Sequence, residues 1–253
     1  MEAGRSLPPR GRGLPAPLAE RLAAGCWIRT AHRGAPKVAP GNTLRALEAA
    51  AAMGVDLVEV DVRRTPDGVL ALWHDAAVGS GGRLPIARTP YPELRSAVRE
   101  ALGEELVDLP AAAATVKGRA GLMVDLKEPG LVPDIVAALR AGEFEDAVVC
   151  GDFWRDLREV KQLAPALGTS LTLGVGWREG VAGPRVEEID TDAVTVAWRH
   201  VNRDFLGRCH TRGLAVLVWT VDRPFRMRRL LRLGVDGLTS NRPDLLMSLE
   251  ARR

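Results

Sequence analysis

Of the 253 residues, three are cysteine, one is tyrosine and four are phenylalanine. Cys26, Cys150 and Cys209 are odd in number and widely separated. That spacing argues against a disulfide framework or a cysteine-based zinc site, and leaves free thiols in a reducing compartment as the expectation. So few tyrosine and phenylalanine rings leave little on which nucleobases stack, so nucleic acid is not an expected partner. No stretch reaches the roughly 18 consecutive apolar residues of a membrane span, which excludes integral membrane contact. The first 25 residues carry arginine, proline and glycine but no apolar run of the signal-peptide kind. Residues 1–25 therefore read as a poorly ordered N-terminal tail, and the protein as cytoplasmic. Charge of one sign is also lacking, since 35 Lys and Arg against 32 Asp and Glu give a net +3. The densest basic cluster, Arg223, Arg226, Arg228, Arg229 and Arg232, reads as the solvated face of one helix.

What is present is an alternation. Hydrophobic residues make up 46% of the chain, and 26 glycines with 17 prolines supply many turns. Short apolar runs occur at 26–31, 57–62, 122–126, 147–150, 170–173, 193–197, 215–219 and 237–239. Runs of this length, nearly continuous in apolar character, suit strands buried on both faces of a parallel sheet. Helical periodicity lies between them, at 43–53, 132–141, 154–163, 203–211, 224–233 and 243–249. Asn42 or Thr43 is placed to cap the first of these, and Pro224 and Pro243 stand where a first helical turn tolerates proline. An extra extended run at 69–74 follows the turn Thr65-Pro66-Asp67-Gly68. Eight strands with intervening helices, in a length of roughly 250 residues, predict an α/β fold of the (β/α)8 TIM-barrel type. The barrel domain spans 26–250, with a small insertion at 76–106 after the second strand that has room for a helix over 92–102.

In such barrels the reactive groups stand at the C-terminal ends of the strands. The first run ends in His32-Arg33-Gly34, which places a titratable imidazole beside a fixed cation suited to phosphate oxygens. The second ends in Glu59-Val60-Asp61, and residues two apart on a strand share a face. Two carboxylates pointing into a barrel need neutralising, and a hard divalent cation with oxygen ligands does so. Asp125 and Lys127 share a face of the third main strand: the acid is a candidate third ligand, the lysine a candidate phosphate contact, and a salt bridge between them is the plain alternative. His74-Asp75 closes the extra run and offers a second imidazole. Trp219 ends the 215–219 run and is a candidate apolar wall for a ligand carbon chain; core packing is the alternative. His210, inside a helical segment, reads as structural, and His200 has no comparable context.

Taken in order, His32-Arg33-Gly34, Asn42-Thr43-Leu44, Glu59-Val60-Asp61-Val62, Thr65-Pro66-Asp67-Gly68, His74-Asp75, Asp125-Leu126-Lys127, Trp219-Thr220-Val221 and Gly234-Val235-Asp236-Gly237 resemble the glycerophosphodiester phosphodiesterase family. The resemblance runs from about Arg29 to Leu246. It implies hydrolysis of small glycerophosphodiester substrates to glycerol 3-phosphate and an alcohol, dependent on one divalent cation, Mg²⁺ or Ca²⁺. It implies that His32 and His74 are the acid–base pair and that Glu59, Asp61 and Asp125 are the metal ligands. Arg33, Lys127 and Trp219 fall on the substrate side, and the enzyme is expected as a monomer or homodimer. Three positions depart from the family pattern: Gly41 stands where glutamate is usual, Asp125 replaces a glutamate, and Ser240-Asn241 replaces threonine-aspartate. Two other readings share this layout: a lysophospholipase D or sphingomyelinase D-like phosphodiesterase, favoured by an exposed apolar lip, and a non-catalytic barrel that binds a phospho-ligand, favoured by Gly41.

Overall fold

A computed structural model describes residues 8–79, 83–174, 177, 185, 188 and 190–249. The parallel strands among them are β1 (Ile28–Ala31), β2 (Leu57–Arg64), β6 (Gly121–Leu126), β7 (Ala147–Gly151), β8 (Gly168–Leu173), β9 (Ala193–Ala197), β10 (Ala215–Trp219) and β11 (Gly237–Ser240). They pair in the order β1-β11-β10-β9-β8-β7-β6-β2, and β1 pairs with β2 as well, which closes the ring. The result is the (β/α)8 barrel. Its strands agree with the apolar runs to within two residues, because a strand covered on both faces must be apolar throughout.

The ring of helices includes α2 (Leu44–Ala52), α4 (Leu109–Val116), α5 (Val132–Ala141), α6 (Trp154–Leu163), α7 (Arg203–Thr211), α8 (Pro224–Leu233) and α9 (Pro243–Met247). Thr43 caps α2 by accepting from the Ala46 N–H. The periodicity did not disclose α4. Asp108 caps it, but alanines fill positions 111–114, so there is no apolar–polar contrast to read.

The insertion has a small core of its own. Strand β3 (Leu70–Leu72) runs antiparallel to β2, followed by the hairpin β4 (Ala77–Val78) and β5 (Leu84–Pro85) and the helix α3 (Tyr91–Leu102). Val78, Ile86, Leu94, Val98 and Leu106 pack together with Ala71. The Tyr91 hydroxyl donates to the Leu106 carbonyl at 2.6 Å and pins the far end.

The N-terminal segment departs from its expected disorder. Residues 16–23 form the helix α1 (Ala16–Ala23), and Leu14, Leu18 and Leu22 are buried against Ile28, Leu57, Met123, Val148 and Leu217 inside the barrel. Arg10 reaches buried Asp236, which also accepts from His210 at 2.7 Å. Composition did not anticipate this segment. Its three leucines lie at spacings of four, and their value comes from stopping the open lower end of a barrel that closes far along the chain. Residues 1–7 lie outside the described residues.

Candidate active site

The interior of the barrel changes character along its axis. On β2 the inward positions run Leu57, Glu59, Asp61, and on β6 they run Met123, Asp125, so an apolar floor gives way to acids at the C-terminal ends. Asp61 lies beside Asp125 in the strand register. The carboxylates of Glu59, Asp61 and Asp125 each offer an oxygen within 4.8 Å of the others. Glu59 and Asp61 are buried.

Two cations partly balance the cluster. Lys127 Nζ lies 2.8 Å from Asp61 and 2.5 Å from Asp125, and Arg33 Nε lies 2.9 Å from Asp61. Asn42, a helix-cap candidate that also opens the Asn42-Thr43-Leu44 motif, donates to Asp61 at 2.9 Å and accepts from the Asp61 N–H. Burial, aided by the charges of Asp61 and Asp125, pushes the Glu59 carboxyl well above the ordinary carboxylate range. Burial also raises Asp125, with Lys127 pulling against it. Burial would lift Asp61 too, yet Lys127 and Arg33 outweigh it and hold that carboxyl below its usual value. Once all three are ionised, three acids against two cations leave one negative charge to be matched. The donors are all oxygen and hard, so the residues fit a hard divalent cation.

The loop after β1 is shaped for this contact. Arg33 and Gly34 both take positive φ, 55° and 83°. A Cβ on Gly34 would lie 2.6 Å from the Ala46 carbonyl carbon, so only glycine fits. The turn aims the Arg33 N–H at Glu59, which accepts it at 2.8 Å. Gly41 packs against the same arginine: a Cβ there would lie 2.9 Å from Arg33 Cβ. The missing carboxylate at residue 41 thus coincides with an Arg33 folded down onto Asp61.

His32 sits at the end of β1, mostly buried, with Nε2 3.9 Å from Glu59. Its Nδ1 is 2.7 Å from Asn241 Oδ1. The Asn241 amide nitrogen donates to Asp222 at 2.8 Å, and Asp222 also accepts from the Asn241 N–H and the Ser240 hydroxyl. A carboxylate only accepts, so Asn241 must turn its NH₂ to Asp222 and its oxygen to the imidazole. His32 therefore carries its proton on Nδ1 and presents a lone pair at Nε2. Burial, with the Arg33 charge, holds this imidazole below its ordinary pKa despite the Asn241 bond. Asp222 and Asn241 were missed as site residues. Their only sequence signal was the departure at 240–241.

His74 is positioned differently. Its side chain is 45% exposed, and Nδ1 lies 2.7 Å from Asp75. Its carbonyl accepts from the Arg63 guanidinium at 2.9 and 3.1 Å, which fixes the loop after β3. A cavity of about 230 Å³ brings the sequence candidates together: His32, Arg33, Glu59, His74, Asp125, Lys127 and Trp219 line it. Asp61 does not line the cavity; it lies beneath, behind the two cations. Trp219 is half-buried, and its indole N–H has no hydrogen-bond partner among the described residues. His210 lies at the opposite end on Asp236, as a structural residue.

The chain is similar to several known proteins. The model of the "Glycerophosphoryl diester phosphodiesterase family" matches residues 32–245. A glycerophosphodiester phosphodiesterase of Caldanaerobacter subterraneus subsp. tengcongensis is 28% identical over 236 residues, covering 87% of this chain and 96% of that protein. A probable glycerophosphodiester phosphodiesterase 2 of Mycobacterium tuberculosis is 30% identical over 256 residues, covering 91% and 93%. Among solved structures, an Oleispira antarctica phosphodiesterase in complex with the product sn-glycerol-3-phosphate superposes with a TM-score of 0.74 at 23% identity, covering 89% of this chain and 97% of that one.

Proposed function

Since the chain belongs to the glycerophosphoryl diester phosphodiesterase family and is a phosphoric diester hydrolase, we propose that it cleaves glycerophosphodiesters to glycerol 3-phosphate and an alcohol by paired-histidine catalysis with one divalent cation, Mg²⁺ or Ca²⁺. The observation that carries this reading is one cavity lined by both His32 and His74 beside the Glu59, Asp61 and Asp125 cluster.

Glu59, Asp61 and Asp125 would hold the cation. Bound there, it supplies positive charge against the extra negative charge that builds on phosphorus during attack. Arg33 and Lys127 add cationic charge on the same side of the cavity. His32 takes the proton of the attacking hydroxyl at Nε2, the nitrogen left unprotonated by the Asn241 bond. His74, held through Nδ1 by Asp75, gives a proton to the departing alkoxide. One P–O bond forms as the other breaks, and each histidine ends in the protonation state the other began with. Water, or a hydroxyl of the glycerol unit itself, is the nucleophile. The Trp219 ring walls the substrate's carbon chain.

The test is release of free choline from glycerophosphocholine with Mg²⁺ or Ca²⁺ present. His32→Ala and His74→Ala are each expected to lower turnover by about 10²–10⁴-fold. Near-wild-type turnover in either variant refutes the pair. Tight calorimetric binding with no release under any cation would instead make this a non-catalytic phospho-ligand barrel.

A further inference from the structure

In the β7–β10 sector, the residues that follow the strand ends form an arginine and aromatic rim on the same face as the cavity. Trp154 opens α6 directly after β7 and is 55% exposed, and Phe225, in the first turn of α8 after β10, is 61% exposed. Trp198 follows β9. Each ring carries a guanidinium: Arg155 lies 5.2 Å from the Trp154 ring, and Arg226 lies 3.6 Å from Trp198 and 5.7 Å from Phe225. Arg199 adds a contact to Trp198 at 5.6 Å. Val38, on the loop after β1, is 54% exposed at this end too.

Helix stability does not account for these arginines. Arg223 is the N-cap residue of α8, Arg226 lies in its first turn, and no acid is present there. Cations at a helix N-terminus oppose the macrodipole. Among the described residues that directly follow these strand ends, acids are few: Asp152 and Asp204 are exposed, Asp156 is turned inward onto the Gly130 N–H, and Asp222 is taken up by Ser240 and Asn241, while exposed Glu188 and Asp190 lie farther along the β8–β9 connection. Against them stand Arg155, Arg199, Arg203, Arg223 and Arg226.

We propose that this rim seats the cavity mouth against the headgroup region of an anionic lipid bilayer. Exposed tryptophan and phenylalanine with flanking arginine match an interface that is apolar on one side and anionic and wet on the other. Charge selects this occupant over a neutral protein face. The covering of Trp198 by Arg226 disfavours nucleic acid, because base stacking needs an open ring. The attachment is peripheral, since no helix among the described residues is long and apolar enough to cross a membrane.

The test is flotation of the full-length protein with vesicles of phosphatidylcholine alone, or of phosphatidylcholine with phosphatidylglycerol, at low and high salt. Binding is expected to favour the anionic vesicles by about tenfold or more and to weaken with salt. The double variant F225S/R226Q should lose about tenfold, of which the one arginine contributes roughly fivefold and the interfacial ring the remainder. A second variant, W154S/R155Q on α6, should lose a similar factor. Both should hydrolyse soluble glycerophosphocholine at the wild-type rate, which shows that they are folded. Equal binding to both vesicle types, unchanged binding by both variants, or tighter binding to single-stranded RNA than to anionic vesicles overturns the proposal.

Discussion

Asn241 Oδ1 and His32 Nδ1 stand 2.7 Å apart across the seam where the last barrel strand meets the first. Asp222 dictates the direction of that bond by accepting the Asn241 amide hydrogen. An uncharged amide thus does the orienting at this position. It fixes the imidazole tautomer while leaving its pKa low.

A pH profile checks this role. His32 stays neutral down to below the ordinary imidazole value of about 6.5, so the acid limb of kcat/KM should lie below that value. In Asn241→Asp the new carboxylate favours imidazolium, and the limb should move upward by about one pH unit or more. Asn241→Leu leaves the tautomer unfixed and should lower kcat more than it raises KM. An unmoved limb in Asn241→Asp together with an unchanged kcat in Asn241→Leu would remove Asn241 from the mechanism.

Cation binding should release protons. Without a cation, Glu59 keeps its proton well above the ordinary carboxylate range, because burial and the neighbouring charges of Asp61 and Asp125 oppose its ionisation. A bound divalent ion needs the carboxylate, so affinity should rise with pH until Glu59 is ionised in the free protein. Titrations of Mg²⁺ or Ca²⁺ in buffers of different ionisation enthalpy measure the release. Identical heats in all buffers at neutral pH would show that Glu59 is already charged.

The N-terminal plug should behave as core. Leu18→Ala opens a cavity at the lower end of the barrel and is expected to cost about 2–5 kcal/mol in urea unfolding. Cation affinity at the far end should not change. A cost below about 0.5 kcal/mol would assign α1 to the surface, where substitutions are nearly neutral.

Much of the site was legible because its signals are local. Glu59 and Asp61 share a face through the two-residue period of a strand, and Asp125 on β6 and Lys127 just past its end repeat it. The helices over 132–141, 154–163, 203–211 and 224–233 were readable from apolar spacing and match α5, α6, α7 and α8. Helix α4 was not, since alanine suits every face of a helix and marks none.

The sequence by itself determined the strand and helix rhythm, and hence the barrel, along with the identity of the histidines, acids and cations at the strand ends. Those features follow from periodicity and from where side chains point along a strand. Tertiary structure alone decided that Asp61 lies beneath Arg33 and Lys127, that Asn241 turns its oxygen to His32, and that α1 closes the barrel floor. The reason is closure: pairing β1 with β11 joins residues more than two hundred positions apart. No local pattern encodes which groups meet across such a seam.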